Sequence, residues 1–157
     1  MVLRPLFLTY AVATALMAGC VKEPPASPAP SANYSKLQAY ELSERCGRTA
    51  REWFKQFYGN GLEVKATEHS HSVYSNHFST DKGRCYALVS ISGEVNHSMG
   101  PTDRLQSNAL FDVNENKKIG EYVRVDGPNA GTTCAMNGED CKDVAGWQKS
   151  AAPYMTE

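Results

Sequence analysis

The sequence predicts an α+β domain in which one long N-terminal helix packs on a four-stranded antiparallel meander sheet with two disulfides. Three observations carry this prediction. Apolar residues recur at helical spacing before Gly59, and they recur at a spacing of two after it. Four cysteines follow Cys20, and in an exported chain an oxidising compartment favours disulfides over a metal site.

The first predicted element is a helix that begins at Ser35. Ser35 and Gln38 form a capping box, in which each side chain accepts a hydrogen bond from the backbone N–H of the other residue. Five residues then share one helical face: Leu42, Cys46, Ala50, Trp53 and Phe57. Residues 59–61 (GNG) end the helix, because glycine adopts the left-handed conformation that closes helices.

Four later segments alternate apolar and polar residues with the period of two that is typical of strands. They span residues 73–78, 84–96, 105–113 and 119–125. In the last segment, Ile119, Val123 and Val125 are expected to share one face. Short polar connections favour an antiparallel meander, and the helix is expected to cover one face of it.

The predicted faces also suggest which cysteines pair. Cys46 lies on the apolar stripe of the helix and Cys85 on the apolar face of a strand, so a helix on that sheet brings the two together. Cys134 and Cys141 flank the short polar loop AMNGED and are expected to bond to each other. Four cysteines allow three pairings, and this choice depends on the face argument.

The N-terminus is predicted to be an export signal. Arg4 is its only charge, and an uncharged apolar run extends from Pro5 to Gly19. Such a run is typical of a secretory signal and is shorter than the about 20 apolar residues of a spanning helix. The predicted organisation is a signal peptide at 1–19, a Pro/Ala/Ser-rich tether at 20–33 and a single α+β domain at 34–157.

The stretch Met17-Ala18-Gly19-Cys20 resembles the lipobox of bacterial lipoproteins. The resemblance implies that Cys20 becomes the first mature residue and is acylated, so that it holds the protein on a lipid bilayer. Val21, and not Asp, follows the lipidated cysteine. The resemblance implies that a residue other than Asp at this position favours the outer membrane, where the domain faces the periplasm. The domain resembles small lipoproteins of Gram-negative bacteria in ERCGRTAREWF, GRCYAL and LFDVNENKKIGEY, and this resemblance carries no activity to any residue.

Two segments contain candidate metal ligands. His69 and His71 are two positions apart and share a face if the chain is extended, although a polar, solvated loop is the simpler interpretation. Asp112, like Asn114 and Asn116, occupies a ligand position of a calcium loop. Lysine replaces the glycine that such a loop needs and valine replaces its bidentate glutamate, so a hairpin loop is predicted instead.

No catalytic residue and no cofactor are predicted, because the sequence has no GxSxG elbow or phosphate loop and its cysteines are used in disulfides. A net charge of −1 argues against nucleic acid as a partner. The predicted function is a non-enzymatic envelope module that binds an unknown ligand or envelope protein. The alternatives are a periplasmic hydrolase inhibitor, or a metal-binding protein or enzyme that uses His69 and His71. Exposed aromatic residues are candidates for a partner surface: Tyr34, Tyr40, Tyr86 and Tyr122.

Overall fold

The computed structural model describes residues 34–64, 68–97 and 100–156. In these ranges the chain forms two helices and a seven-stranded antiparallel sheet whose strand order follows the chain. The helices are α1 (Lys36–Tyr58) and α2 (Val144–Met155). The strands are β1 (Leu62–Val64), β2 (Glu68–Ser79), β3 (Arg84–Val95), β4 (Asp103–Asp112), β5 (Lys117–Asp126), β6 (Gly131–Met136) and β7 (Glu139–Asp140).

The N-terminal helix begins and ends where the sequence predicts. The capping box between Ser35 and Gln38 is formed in both directions, and Gly59 closes the helix with a φ of 60°. The helix packs on β2 and β3 through four buried residues: Cys46, Ala50, Trp53 and Phe54. Phe57, which is predicted on the same buried stripe, is 50% exposed.

The prediction of one helix on a four-stranded sheet is wrong, because the sheet has seven strands and a second helix packs on it. β1 and β7 contain three and two residues, too few for an alternating pattern to show. The first half of β6 contains exposed threonines in place of alternating apolar and polar residues, so the sequence does not indicate a strand there. α2 buries Trp147 and Ala151 alone and contains Pro153, so its helical signal is weak.

The two helices cover opposite faces of the sheet. Successive side chains of a strand point to opposite faces. In β3, Ala87 and Val89 lie in the core under α1, whereas Tyr86 lies in the core under α2. The prediction that Tyr86 and Tyr122 are exposed is therefore wrong: they are 3% and 7% exposed in the α2-side core.

A β-bulge changes the face of one further residue. The pairing of β4 with β5 shifts between Leu110 and Phe111. An extra residue in one strand reverses the side-chain alternation beyond it. Ile119 therefore packs with the core under α2 and does not share a face with Val123, contrary to the alternation read from the sequence.

Both disulfides have the pairing expected from the sequence. Cys46 of α1 is bonded to Cys85 of β3, with their Cα atoms 5.3 Å apart. Cys134 of β6 is bonded to Cys141, with their Cα atoms 5.0 Å apart. The first bond ties α1 to the sheet inside the core, and the second closes the β6–β7 hairpin just before α2.

The loop between β4 and β5 holds three parts of the fold together. Asp112 Oδ1 accepts hydrogen bonds from the backbone N–H of Asn114 (2.9 Å) and of the residue after it (3.1 Å). Asn114 Oδ1 accepts from the backbone N–H of Cys85 (3.0 Å). Asn116 Oδ1 accepts from the indole N–H of Trp53 (2.7 Å). The side-chain oxygens of Asp112, Asn114 and Asn116 therefore accept hydrogen bonds from N–H groups of the protein itself, in a hairpin loop.

Candidate functional site

A cavity of about 500 Å³ opens at the end of the sheet where the turns β2–β3, β4–β5 and β6–β7 approach the C-terminal end of α2. Its volume lies within the about 300–1,000 Å³ that is usual for small-molecule sites. The start of β3, the β4–β5 and β6–β7 turns with their adjoining strands, and α2 line it, and the lining includes Arg84, Tyr86, Lys117, Lys118, Asn137 and Tyr154. We call this space the turn cavity.

The β6–β7 turn supplies one wall of the turn cavity. Asn137 and Gly138 are the two loop residues between the paired residues Met136 and Glu139, and both have positive φ values of 54° and 82°. Asn-Gly is the preferred sequence for such a two-residue hairpin. The turn brings the Asn137 amide within 3.1 Å of the Tyr154 hydroxyl on α2.

One guanidinium engages both carboxylates of the lining. Arg84 Nη1 donates to Asp112 Oδ2 at 2.6 Å and also to Glu115. These hydrogen bonds raise the pKa of Arg84 further, so it stays charged. Because Arg84 already neutralises part of their charge, Asp112 and Glu115 present less negative potential to the cavity than two free carboxylates would.

The remaining charged groups of the cavity are lysines. Lys117 forms no ion pair with the described residues, and Lys118 pairs with Glu121. Lys82 lies beside the cavity, with Nζ 5.1 Å from the centre of the Tyr154 ring. Cations therefore outnumber the carboxylates that line the space.

Tyr86 adds a neutral donor to this surface. Its ring is 3% exposed and meets the Tyr154 ring edge to face, with centroids 5.1 Å apart. Burial raises the pKa of Tyr86 to about 12, and the negative charge of Asp112 contributes to the shift. The hydroxyl therefore stays protonated at neutral pH and can donate a hydrogen bond to a ligand.

The candidate metal ligands lie elsewhere. His69 and His71 are in β2, opposite Glu94 and Ser92 of β3, so the prediction of a loop at this point is wrong. Both imidazoles are exposed on one face of the strand. Within the described ranges, no three His, Cys, Asp or Glu side chains are grouped as metal ligands. Cys20, the predicted lipidation site, lies outside the described residues.

A second polar cluster, missed from the sequence, ties two loops together at the opposite end of the sheet. Asp103 is 4% exposed, and its carboxylate accepts hydrogen bonds from the Asn129 amide (2.8 Å) and from His97 Nε2 (2.9 Å). The cluster joins the β3–β4 connection to the β5–β6 connection. Sequence separations of 6 and 26 give no local pattern that would identify it.

This cluster predicts an acid-sensitive contribution to stability. Hydrogen bonds from Asn129 and then His97 hold the pKa of Asp103 below its ordinary value of 3.8. A carboxyl with a lowered folded-state pKa stabilises the fold above its unfolded-state pKa, and this stabilisation is lost as pH falls through the folded-state value. The difference in the free energy of unfolding between the unchanged protein and Asp103→Asn should therefore decrease as the pH is lowered from about 5 through the folded-state pKa of Asp103. Urea unfolding across this range measures it, and a constant difference would contradict the assignment.

Comparison of the chain with protein-family models, curated proteins and solved structures gives no match. Across residues 34–64, 68–97 and 100–156, no helix is long and apolar enough to cross a membrane.

Proposed function

We propose that this protein is a lipid-anchored module of the bacterial cell envelope that binds a small polar ligand through an anionic group in the turn cavity. The observation that carries the binding proposal is that cationic side chains outnumber carboxylates by three to two in the lining of a cavity of about 500 Å³. The anchoring proposal is carried by the lipobox-like sequence that ends at Cys20. The described residues supply no contact that favours a hydrolase inhibitor or a histidine-dependent metal protein.

A carboxylate or phosphate group suits the donors that surround the turn cavity. Lys117 is exposed and can direct its ammonium group at a ligand oxygen, and Lys118 can do so by giving up its ion pair with Glu121. Charge-assisted hydrogen bonds to such oxygens are stronger than neutral ones. The protonated Tyr86 hydroxyl adds a neutral donor, and Asn137 can contact a polar group next to the anion.

Calorimetric titration with citrate and with inorganic phosphate tests this proposal. The unchanged full-length chain should bind at least one of the two anions. Replacing Lys117 and Lys118 together by alanine should weaken that binding about tenfold or more, because each ligand contact is charge-assisted. Lys55→Ala is the matched control, since it removes an exposed lysine from α1, away from the cavity. Failure of the unchanged chain to bind either anion, or equal binding by all variants, would argue against the cavity as an anion site.

The lipid anchor determines the position of the turn cavity in the cell envelope. Residues 21–33 are rich in proline, alanine and serine, and a Pro-rich chain extends about 3.1 Å per residue. Such a tether allows the domain to stand up to about 40 Å from the bilayer. We propose an outer-membrane position facing the periplasm, where soluble ligands and envelope proteins both reach the domain.

Cys20→Ser should abolish lipid attachment, because a hydroxyl cannot form the thioether that a thiol forms. Metabolic labelling with radioactive palmitate in cells that produce the full chain measures this directly. The unchanged protein should be labelled and found in the membrane fraction, and Cys20→Ser should be unlabelled. Palmitate on the variant would show that Cys20 is not the anchor.

A further inference from the structure

The outer edge of β2 is only partly covered by β1. β2 pairs with β3 along its whole length, whereas β1 pairs with His69–His71 alone. The backbone N–H of Ser72 points to the outer side and donates to the carbonyl of Gly61 (2.6 Å). Because backbone groups alternate in direction along a strand, the next residues with outward N–H and C=O groups are Tyr74, Asn76 and Phe78. These groups have no backbone partner among the described residues.

The open part of the edge lacks the features that usually protect an edge strand. Residues 73–79 contain no Lys, Arg, Asp, Glu or Pro, and their pairing with β3 has no bulge. Proteins commonly block exposed edges with charges, prolines or bulges, because free ladder groups are a template for another strand. Val73 also exposes 49% of its surface beside this edge.

α1 carries a glycine next to the middle of the open edge. Among the described residues outside its own helix, a Cβ atom at Gly47 would meet only Asn76 Nδ2, at the ordinary contact distance of 3.8 Å. Glycine in a helix interior destabilises it relative to alanine. Since packing within the chain does not require a glycine here, the position leaves room for close approach by a neighbouring molecule.

We infer that this edge binds a second copy of the chain, with the two β2 strands paired antiparallel about a two-fold axis at Asn76. In this register Asn76 faces its counterpart, and Tyr74 of one copy faces Phe78 of the other. Each of these pairs exchanges two hydrogen bonds, so every outward N–H and C=O group of the three residues is satisfied. The sheets of both copies then form one continuous sheet.

The composition of the edge favours a second copy as the occupant. Only an extended backbone offers donors and acceptors at the spacing of a strand edge. An antiparallel pair of identical strands is self-complementary, as a two-fold interface requires. Residues 73–79 carry no Lys, Arg, Asp or Glu, so pairing them with their counterparts brings no like charges of these side chains together.

Ser75→Lys tests the interface without disturbing the core. Ser75 is exposed on the sheet face away from α1, and two introduced lysines would lie near each other across the axis. Ser92→Lys is the matched control, because Ser92 is exposed on the same face but lies in β3, inside the sheet. Sedimentation equilibrium of the full-length chain in detergent should show a dimer for the unchanged protein and for Ser92→Lys. Ser75→Lys should dimerise about tenfold more weakly or not at all.

Asn76→Pro provides a second, independent test. The N–H that it removes points outward, so proline at this position blocks the edge while the β2–β3 ladder is kept. Near-ultraviolet circular dichroism and disulfide mapping verify that each variant is folded. A monomeric unchanged protein, or a dimer that neither Ser75→Lys nor Asn76→Pro weakens, would overturn the inference. A photo-crosslinker at Ser75 that captures a different protein and no second copy would also overturn it.

Discussion

Replacing Cys46 and Cys85 together by alanine is expected to lower the free energy of unfolding by about 3.9 kcal/mol, from the loop-entropy relation. The same relation gives about 2.5 kcal/mol for replacing Cys134 and Cys141. The difference arises because the first pair is separated by 39 residues in the sequence and the second by 7. A longer closed loop restricts the unfolded chain more strongly.

The positions of the two disulfides support the same ranking. Cys46 and Cys85 are 3% and 5% exposed and lie between α1 and the sheet, whereas Cys141 is only partly buried behind a surface hairpin. Denaturant unfolding of the two double variants measures the ranking, after peptide mapping without reductant has verified the remaining disulfide. A larger loss of stability for the Cys134 and Cys141 variant would contradict this account of the core.

Trp147→Ala is expected to destabilise the domain by about 3–5 kcal/mol, the usual cost of truncating a buried tryptophan. Trp147 is 2% exposed and packs α2 into the core that contains Leu110 and Tyr122. Its indole N–H has no hydrogen-bond partner among the described residues, so the loss comes from packing.

Val144→Ala is the control for this prediction. Val144 lies in the first turn of α2 and is 39% exposed, so its replacement should change stability by no more than about 0.5 kcal/mol. Urea unfolding followed by far-ultraviolet circular dichroism measures both variants. A loss of less than about 1 kcal/mol for Trp147→Ala would show that α2 does not complete the core as described.

The parts of the fold that could be predicted are those with a local periodic signal. The capping box and the apolar stripe locate α1, and the alternation around Cys85 locates β3 and its core face. These two faces were sufficient to pair Cys46 with Cys85. α2 was missed because two buried residues and a proline give a weak helical signal, and the exposure of Tyr86 was then predicted wrongly.

The turn cavity could not be predicted, because its residues come together only through the strand order. Arg84, Lys117, Asn137 and Tyr154 belong to four separate elements, and none stands in a short motif. The sequence predicts a hairpin loop at NENKK, but the hydrogen bond from the Cys85 backbone N–H to the Asn114 side chain depends on long-range packing. Charged side chains that separate turns bring together have no fixed spacing in the sequence.

Amide chemical-shift maps of the protein during titration with citrate and, separately, with inorganic phosphate test the binding cavity most directly. The account predicts saturating shifts at Arg84, at Lys117 and Lys118, and at Asn137, and their loss when both lysines are replaced by alanine. Shifts that saturate instead around His71, on the open polar face of the sheet, would contradict it. The absence of any saturating shift with both citrate and phosphate would contradict it equally.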